Sequence, residues 1–204
     1  FFSTFFSAGF AASASALARS SALALAFSSA CSFSIASRLA FSAGVSKAST
    51  PEELREGLER LLKKSSLVIA QEFRPTDFDW RIGVLDGQAL YACKYFMAGK
   101  HWQIAHHHGA GGTPDYGRVE SLPVEQAPGA VLDIAVRAAL LYGDGLFGVD
   151  VKVIDGKPVV IEVNDNPTID AGDEDGDLGE ELYLRIMRHM MARVEQKKRA
   201  GKVR

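Results

Sequence analysis

The chain has 204 residues, enough for one domain or one domain with an appendage. A formal net charge of -2 with 24% charged residues excludes a general polyanion binder, so nucleic acid is not expected as a partner. Two cysteines, Cys31 and Cys93, make neither a disulfide framework nor a zinc quartet, and a reducing, cytoplasmic setting is the default.

Residues 1–45 differ in composition from everything after them. They are Ala, Ser, Phe and Leu, with Arg19 and Arg38 as the only charges, and the first acid is Glu52. A cleaved targeting peptide fits the Arg and Ser content and the missing acids. A membrane span fits less well, because Ser interrupts each apolar run before about 18 residues accumulate, so no membrane association is expected. An out-of-frame or antisense reading of a Lys/Glu/Ala-rich stretch also gives such monotony. The segment is expected to be disordered, targeting or mistranslated, and it is assigned no function.

Residues 46–196 have ordinary globular composition and read as one α+β region. A helix starts at Thr50, with Thr50 as N-cap, Pro51 at N1 and Glu53 three residues after the cap. Its buried stripe is Leu54, Leu58, Leu61 and Leu62. A short apolar strand at 67–69 leads into Gln71-Glu72-Phe73. Strands at 80–85 and 88–96 flank Asp86-Gly87, a hairpin signal. Residues 100–123 read as loop, since His106-His107-His108, Gly109, Gly111, Gly112 and Pro114 all break regular structure. A helix follows over 128–142 with Val131, Ile134, Ala135, Ala138 and Leu141 inward. A second hairpin, 146–154 and 158–163, turns at Asp155-Gly156. After a polar loop at 164–177, a closing helix over 178–194 points Leu182, Ile186, His189 and Met190 inward. The chain is expected to fray from Glu195, with 197–204 a basic tail.

The second hairpin carries the chemistry. Asp150 and Glu162 are acids inside apolar strands, and a buried lone carboxylate normally has a partner or a metal. Glu162 and Asn164 share one strand face, opposite Ile161 and Val163. Two carboxylates and an amide oxygen on one face suit Mg2+, with Mn2+ as a substitute. A two-residue turn, however, pairs Asp150 with Ile161 and points it away from Glu162. The metal site therefore requires a three-residue turn, 155–157, or a β-bulge. The competing assignment is a structural salt bridge, with Lys152 or Arg137 as partner. Asn164-Asp165-Asn166-Pro167 favours a rigid turn and offers further oxygens.

Other signals are weaker. His101 and His106-His107-His108 lack a suitably spaced acid and read as solvated loop. Asp173-Glu174-Asp175-Gly176 fails as a calcium loop, because Ala171 and Leu182 fall at the first and twelfth ligand positions. Gly109–Gly112 is followed by no Lys-Ser/Thr and is not a phosphate loop. Cys93, in mid-strand, reads as packing.

The run GVDVKVIDGKPVVIEVNDNPTIDAG resembles the metal-binding end of the ATP-grasp superfamily, and is most similar to the branch of RimK-type glutamate ligases and glutathione synthetases. QEFRPTDFDWRIGVLDGQALYACKYF resembles the same branch from its hinge to its phosphate-contacting strands. The resemblance, spanning residues 67–194, implies an ATP-grasp C-terminal subdomain with a largely antiparallel sheet and packed helices. It implies that Asp150 binds one Mg2+, Glu162 bridges two and Asn164 binds the second, with Asn166 near the phosphates. Gln71, Glu72 and Phe73 would form the adenine hinge. Arg81 would contact phosphate or an acyl-phosphate, and Lys94, facing a similar direction, would assist it.

The implied function is an ATP-dependent ligase joining a small-molecule or peptide carboxylate to an amino-acid amine, glutamate among them, through an acyl-phosphate. The subdomain that supplies a lysine and a Gly-rich loop in this superfamily is not found in the sequence. The expected chain is thus the C-terminal half of an enzyme, inactive alone. A noncatalytic nucleotide- and metal-binding remnant and a binding domain with structural salt bridges are the alternatives. Homo-oligomerisation is left open.

Overall fold

The structure is a computed structural model, and residues 10–12, 33–40, 43–98, 104–106 and 115–201 are described. The chain divides into two compact units, Phe1–Pro75 and Thr76–Arg204.

The first unit is a four-stranded antiparallel sheet and one helix. Strands β1 (Phe10–Ala12), β2 (Phe33–Ala40), β3 (Ala43–Ala48) and β4 (Val68–Glu72) lie in the order β1-β4-β2-β3. Strands β1 and β2 fall within residues 1–45, the segment expected to be disordered, targeting or mistranslated. Their ladders use backbone groups, which any non-proline residue supplies. Helix α1 (Pro51–Leu62) starts as expected. Thr50 Oγ1 accepts the Glu53 N–H at 3.1 Å, and the Glu53 carboxylate reaches back to the Ser49 N–H at 2.7 Å. Leu54, Leu58 and Leu61 are buried beneath it.

The second unit is built on a five-stranded antiparallel sheet in the order β11-β10-β5-β6-β9. Its strands are β5 (Phe78–Leu85), β6 (Gln88–Phe96), β9 (Val119–Leu122), β10 (Leu146–Ile154) and β11 (Lys157–Asn164). A separate two-stranded ladder joins β7 (Ala105–His106) and β8 (Asp115–Tyr116). Strand β9 corrects the expectation of continuous loop through residue 123. Its alternation is only four residues long, and the register that stabilises it comes from the edge of β6. His101, His107, His108 and residues 109–112 lie outside the described residues.

One sheet face, bearing Trp80, Ile82, Val84, Ala92, Phe147, Val149 and Val151, packs on helix α2 (Gly129–Leu140) through Val131, Ala135 and Ala139. Leu141, expected inward, is 76% exposed, because the helix has ended and the chain is turning toward Gly143. On the other face, Leu85, Leu90, Tyr91 and Cys93 are covered by Ile169, Leu178, Leu182 and Ile186, from the loop after β11 and from helix α3 (Glu180–Gly201). This helix runs through the stretch expected to fray. Residues 195–200 are good helix formers, and Arg199 pairs with Glu195 one turn back. Among the described residues no helix is long and apolar enough to cross a membrane.

Both hairpins close with two-residue turns. Asp86 and Gly87 have φ of 53° and 70°, and Asp155 and Gly156 have φ of 51° and 76°, the left-handed pair that suits the strand twist. Each hairpin also carries a register shift, between Gly83 and Val84 in β5 and between Asp150 and Val151 in β10. These two shifts decide which side chains meet.

Candidate functional site

In β10 and β11, Ile154 pairs with Lys157 and Val151 with Val160, as a two-residue turn dictates. Ile161 is then the extra residue, and Asp150 pairs with Glu162. The expected alternatives were a longer turn or a bulge, and the chain adopts the bulge. An odd residue inserted in one strand turns everything beyond it to the other face. Asp150 and Glu162 therefore stand side by side on the face away from α2, with Asn164 two residues further on.

Across the sheet, Asp150 pairs with Arg81 of β5, and Arg81 with Cys93 of β6. Arg81 Nε donates to Asp150 Oδ1 at 2.7 Å and Nη2 donates to Oδ2 at 2.9 Å, a bidentate pair. Both side chains are mostly buried, with 18% and 16% of their surface exposed. Burial opposes the Arg81 charge, and the Asp150 hydrogen bonds and charge more than offset it, so the guanidinium is held more firmly protonated than usual. The ring of Tyr95 lies against the guanidinium, 4.6 Å from its carbon to the ring centroid. The partner of Asp150 is thus Arg81, and not Lys152 or Arg137, the partners named in the competing salt-bridge assignment. Lys152 instead donates to Asp79 Oδ1 at 2.7 Å and to Thr76 Oγ1 at 2.6 Å.

Glu162 is the electrostatically uneasy member. Burial raises its pKa above the ordinary carboxylate value, and the charge of Asp150 raises it further; Arg81 and a hydrogen bond from Asn164 only partly counter this. Two adjacent carboxylates sharing one guanidinium leave negative charge in excess. A divalent cation is the group that would relieve it, and carboxylate and amide oxygens are the donors Mg2+ takes. The residues present fit such an ion.

The loop after β11 folds back over the sheet. A Cβ added at Gly148 would come 2.7 Å from Pro167 Cβ, so glycine is what admits the close approach of Asn166-Pro167 to β10. Asn166 itself is exposed. Tyr91 crosses Gly83 in the same way, since a Cβ there would meet its ring at 2.1 Å. Burial, then the Glu174 carboxylate, raises the Tyr91 pKa. Burial pushes the Cys93 thiol up to about 12, which keeps it protonated and fits a packing role.

Lys94 does not join this group. A plain two-residue hairpin would pair it with Asp79, on the Arg81 face. The register shift in β5–β6 makes Leu90 the extra residue and pairs Lys94 with Trp80 and Glu120 on the opposite face. There its ammonium donates to Glu120 Oε1 at 3.3 Å and lies 5.5 Å from the Trp80 ring centroid. The expectation that Lys94 faces as Arg81 does is corrected by that one bulged residue.

Gln71 and Glu72 end β4, paired with Ser34 and Phe33, and belong with Phe73 to the first unit. Glu72 pairs with Arg74 at 3.4 Å, and Lys47 lies over the Phe73 ring. Three residues of the second unit went unremarked as site-builders in the sequence: Gly148, Tyr95 and Glu174. Tyr95 and Gly148 carried a readable signal, since they occupy the Arg81–Asp150 face once the register is known. Glu174 did not, because its place depends on how the 165–179 loop folds.

No family model and no curated protein matches the chain. Solved structures do match. D-alanine–D-alanine ligase from Bacillus anthracis superposes with a TM-score of 0.64 at 18% identity over 93% of this chain. The D-cycloserine synthetase DcsG gives 0.60 at 19% identity over 86% of this chain and 64% of its own. The ATP-grasp ligase PsnB gives 0.56 at 21% identity over 86% of this chain and 52% of its own. The chain spans 63% of the length of the Bacillus anthracis ligase. At these identities the likeness is one of architecture, and the antiparallel sheet with its packed helices is the fold of the ATP-grasp ligases.

Proposed function

We propose that the chain is the nucleotide- and magnesium-binding part of an ATP-dependent ligase that joins a carboxylate to an amine, of the RimK-type glutamate ligase and glutathione-synthetase kind. The observation that carries this reading is the bulge at Ile161, which spends a strand irregularity to set Asp150 beside Glu162. Asp150, Glu162 and Asn164 would hold Mg2+ or Mn2+, whose bound charge would offset that of the ATP phosphates. PsnB has been solved complexed with Mg and ADP, and the Bacillus anthracis ligase complexed with ATP, which supports the choice of ligands.

The protein's own groups divide the work. Arg81 aligns Asp150 through Nε and Nη2, and its further N–H groups would serve a phosphate or acyl-phosphate oxygen. Asn166, exposed beside Pro167, would reach the phosphates. Gln71, Glu72 and Phe73 would receive adenine. Phosphoryl transfer asks for alignment and charge stabilisation, which this face offers. Lys94, on the α2 face, takes no part. The carboxylate and amine substrates are proposed as a small molecule or peptide and an amino acid.

The bidentate Arg81–Asp150 pair favours a second reading, a binding domain in which the acids are structural. Calorimetric titration with a nonhydrolysable ATP analogue separates the two. The ligase reading expects Mg2+-dependent binding that Asp150→Asn and Glu162→Gln each weaken by about a hundredfold, since loss of an outer-shell partner alone reaches that size. Binding that ignores Mg2+ and both substitutions would leave only the structural reading.

A further inference from the structure

Glu174 is the one charged residue in the buried interior among the described residues, with 1% of its surface exposed. A carboxylate is not placed there without recompense. Glu174 Oε1 accepts the Tyr95 hydroxyl, and Oε2 accepts the Asp170 N–H at 2.8 Å. The first bond fastens the loop after β11 to β6. The second closes the loop on itself, next to the turns from Asp170 to Asp173 and from Asp173 to Gly176. Gly176 packs against Ser121 of β9, so the loop lies on the sheet's site face.

Tyr95 is the hinge between this fastening and the proposed metal site. Its hydroxyl is held by Glu174 and its ring lies against the Arg81 guanidinium. The edge of the same guanidinium grips both oxygens of Asp150. A guanidinium bound along its edge and stacked on its face has little freedom left, and the carboxylate it grips is aimed accordingly.

We propose that Glu174 is a positioning residue: through Tyr95 and Arg81 it sets the orientation of Asp150 and thereby the metal affinity of the Asp150–Glu162–Asn164 cluster. This rests on the reading of Asp150 as a metal ligand. Glu174 touches neither nucleotide nor metal in this role. Its effect runs through the tyrosine ring, the guanidinium and the carboxylate in turn, as outer-shell partners of metal ligands commonly act.

The test uses the full chain and Mn2+ alone, followed by the proton relaxation of bulk water, with melting temperature measured alongside. Tyr95→Phe keeps the ring but leaves Glu174 without the hydroxyl; Glu174→Gln keeps one acceptor oxygen for two donors. Both are expected to weaken Mn2+ by about tenfold. Asp175→Asn is the control, because Asp175, in the same loop, accepts from the Gly172 N–H and from the Tyr183 hydroxyl of α3, and neither bond involves Tyr95. It should lower the melting temperature while leaving Mn2+ affinity unchanged. Asp170, Asp173 and Glu174 present oxygens within 4.8 Å of one another, and Tyr95→Phe leaves that acidic group intact, so a loss there is not a loss of ligands. Unchanged affinity in Tyr95→Phe and Glu174→Gln, or an equal loss in Asp175→Asn, would overturn the proposal while the ligand reading stands. Wild type and Asp150→Asn binding Mn2+ alike would overturn the ligand reading itself, and the positioning role with it.

Discussion

Asp150 answers two demands, a guanidinium on one side and a proposed cation on the other. An ionised carboxylate has about four lone-pair directions, and Arg81 occupies one on each oxygen, so both can be met. Among the described residues Glu162 has no such cationic grip, and its raised pKa follows from burial and from Asp150. The sign of the consequence is fixed. A carboxyl whose folded pKa is raised contributes stability that is full below the ordinary carboxylate pKa and is lost as pH rises through the raised folded value. Glu162→Gln has no proton to lose in that window. In chelator the variant should therefore melt higher than wild type at neutral pH, and the two curves should converge below about pH 4. Excess Mg2+ should reverse the order at neutral pH by stabilising wild type more than the variant. A variant that melts lower than wild type in chelator at pH 7 would show that Glu162 is already well paired without a metal.

Two single-residue bulges set the face of the chemistry at the level of strands. The bulge at Ile161 turns Glu162 and Asn164 toward Asp150, and the bulge at Leu90 turns Lys94 away from Arg81. Deleting Ile161 should keep Val160 opposite Val151 and Glu162 opposite Asp150, now in a regular ladder, so Mn2+ binding should survive. Deleting Val163 should leave that pair in place but bring Asn164 opposite Val149, on the α2 face, and weaken binding. The ordinary expectation for one-residue deletions in a core strand is equal damage from both. Equal loss of Mn2+ affinity in the two variants would mean that the bulge does not set the register of the site. The hairpins themselves were legible, because Asp-Gly demands a left-handed turn. The first bulge was legible only as a requirement: two acids had to meet, and a two-residue turn forbade it. At Leu90 no chemistry posed the question, so Lys94 was assigned the wrong face. Val119–Leu122 escaped because so short an alternation is stabilised by the neighbouring strand and not by its own composition. Glu174 escaped for a related reason, since its partners, Tyr95 and the Asp170 amide, are set by tertiary folding of a loop.

At the scale of the molecule, the proposed ligands fall in different units. Gln71, Glu72 and Phe73 lie in Phe1–Pro75, while Arg81, Asp150, Glu162, Asn164 and Asn166 lie in Thr76–Arg204. Among the described residues, the two hydrophobic clusters on the second unit's sheet, one on each face, draw on residues between Phe78 and Ile186. A sheet covered on both faces by its own helices and loop meets the requirement for independent folding. Residues 76–204 expressed alone should therefore unfold cooperatively, and should bind Mn2+ with the affinity of the full chain, because every proposed metal ligand and the Glu174–Tyr95–Arg81 series is retained. Affinity for an ATP analogue should fall, because the proposed adenine-contacting residues are gone. Paired titrations of the fragment and the full chain decide the matter. Equal nucleotide affinity in both would remove Gln71, Glu72 and Phe73 from the binding site, and loss of Mn2+ binding from a cooperatively folded fragment would mean that the metal cluster is completed by residues before Thr76.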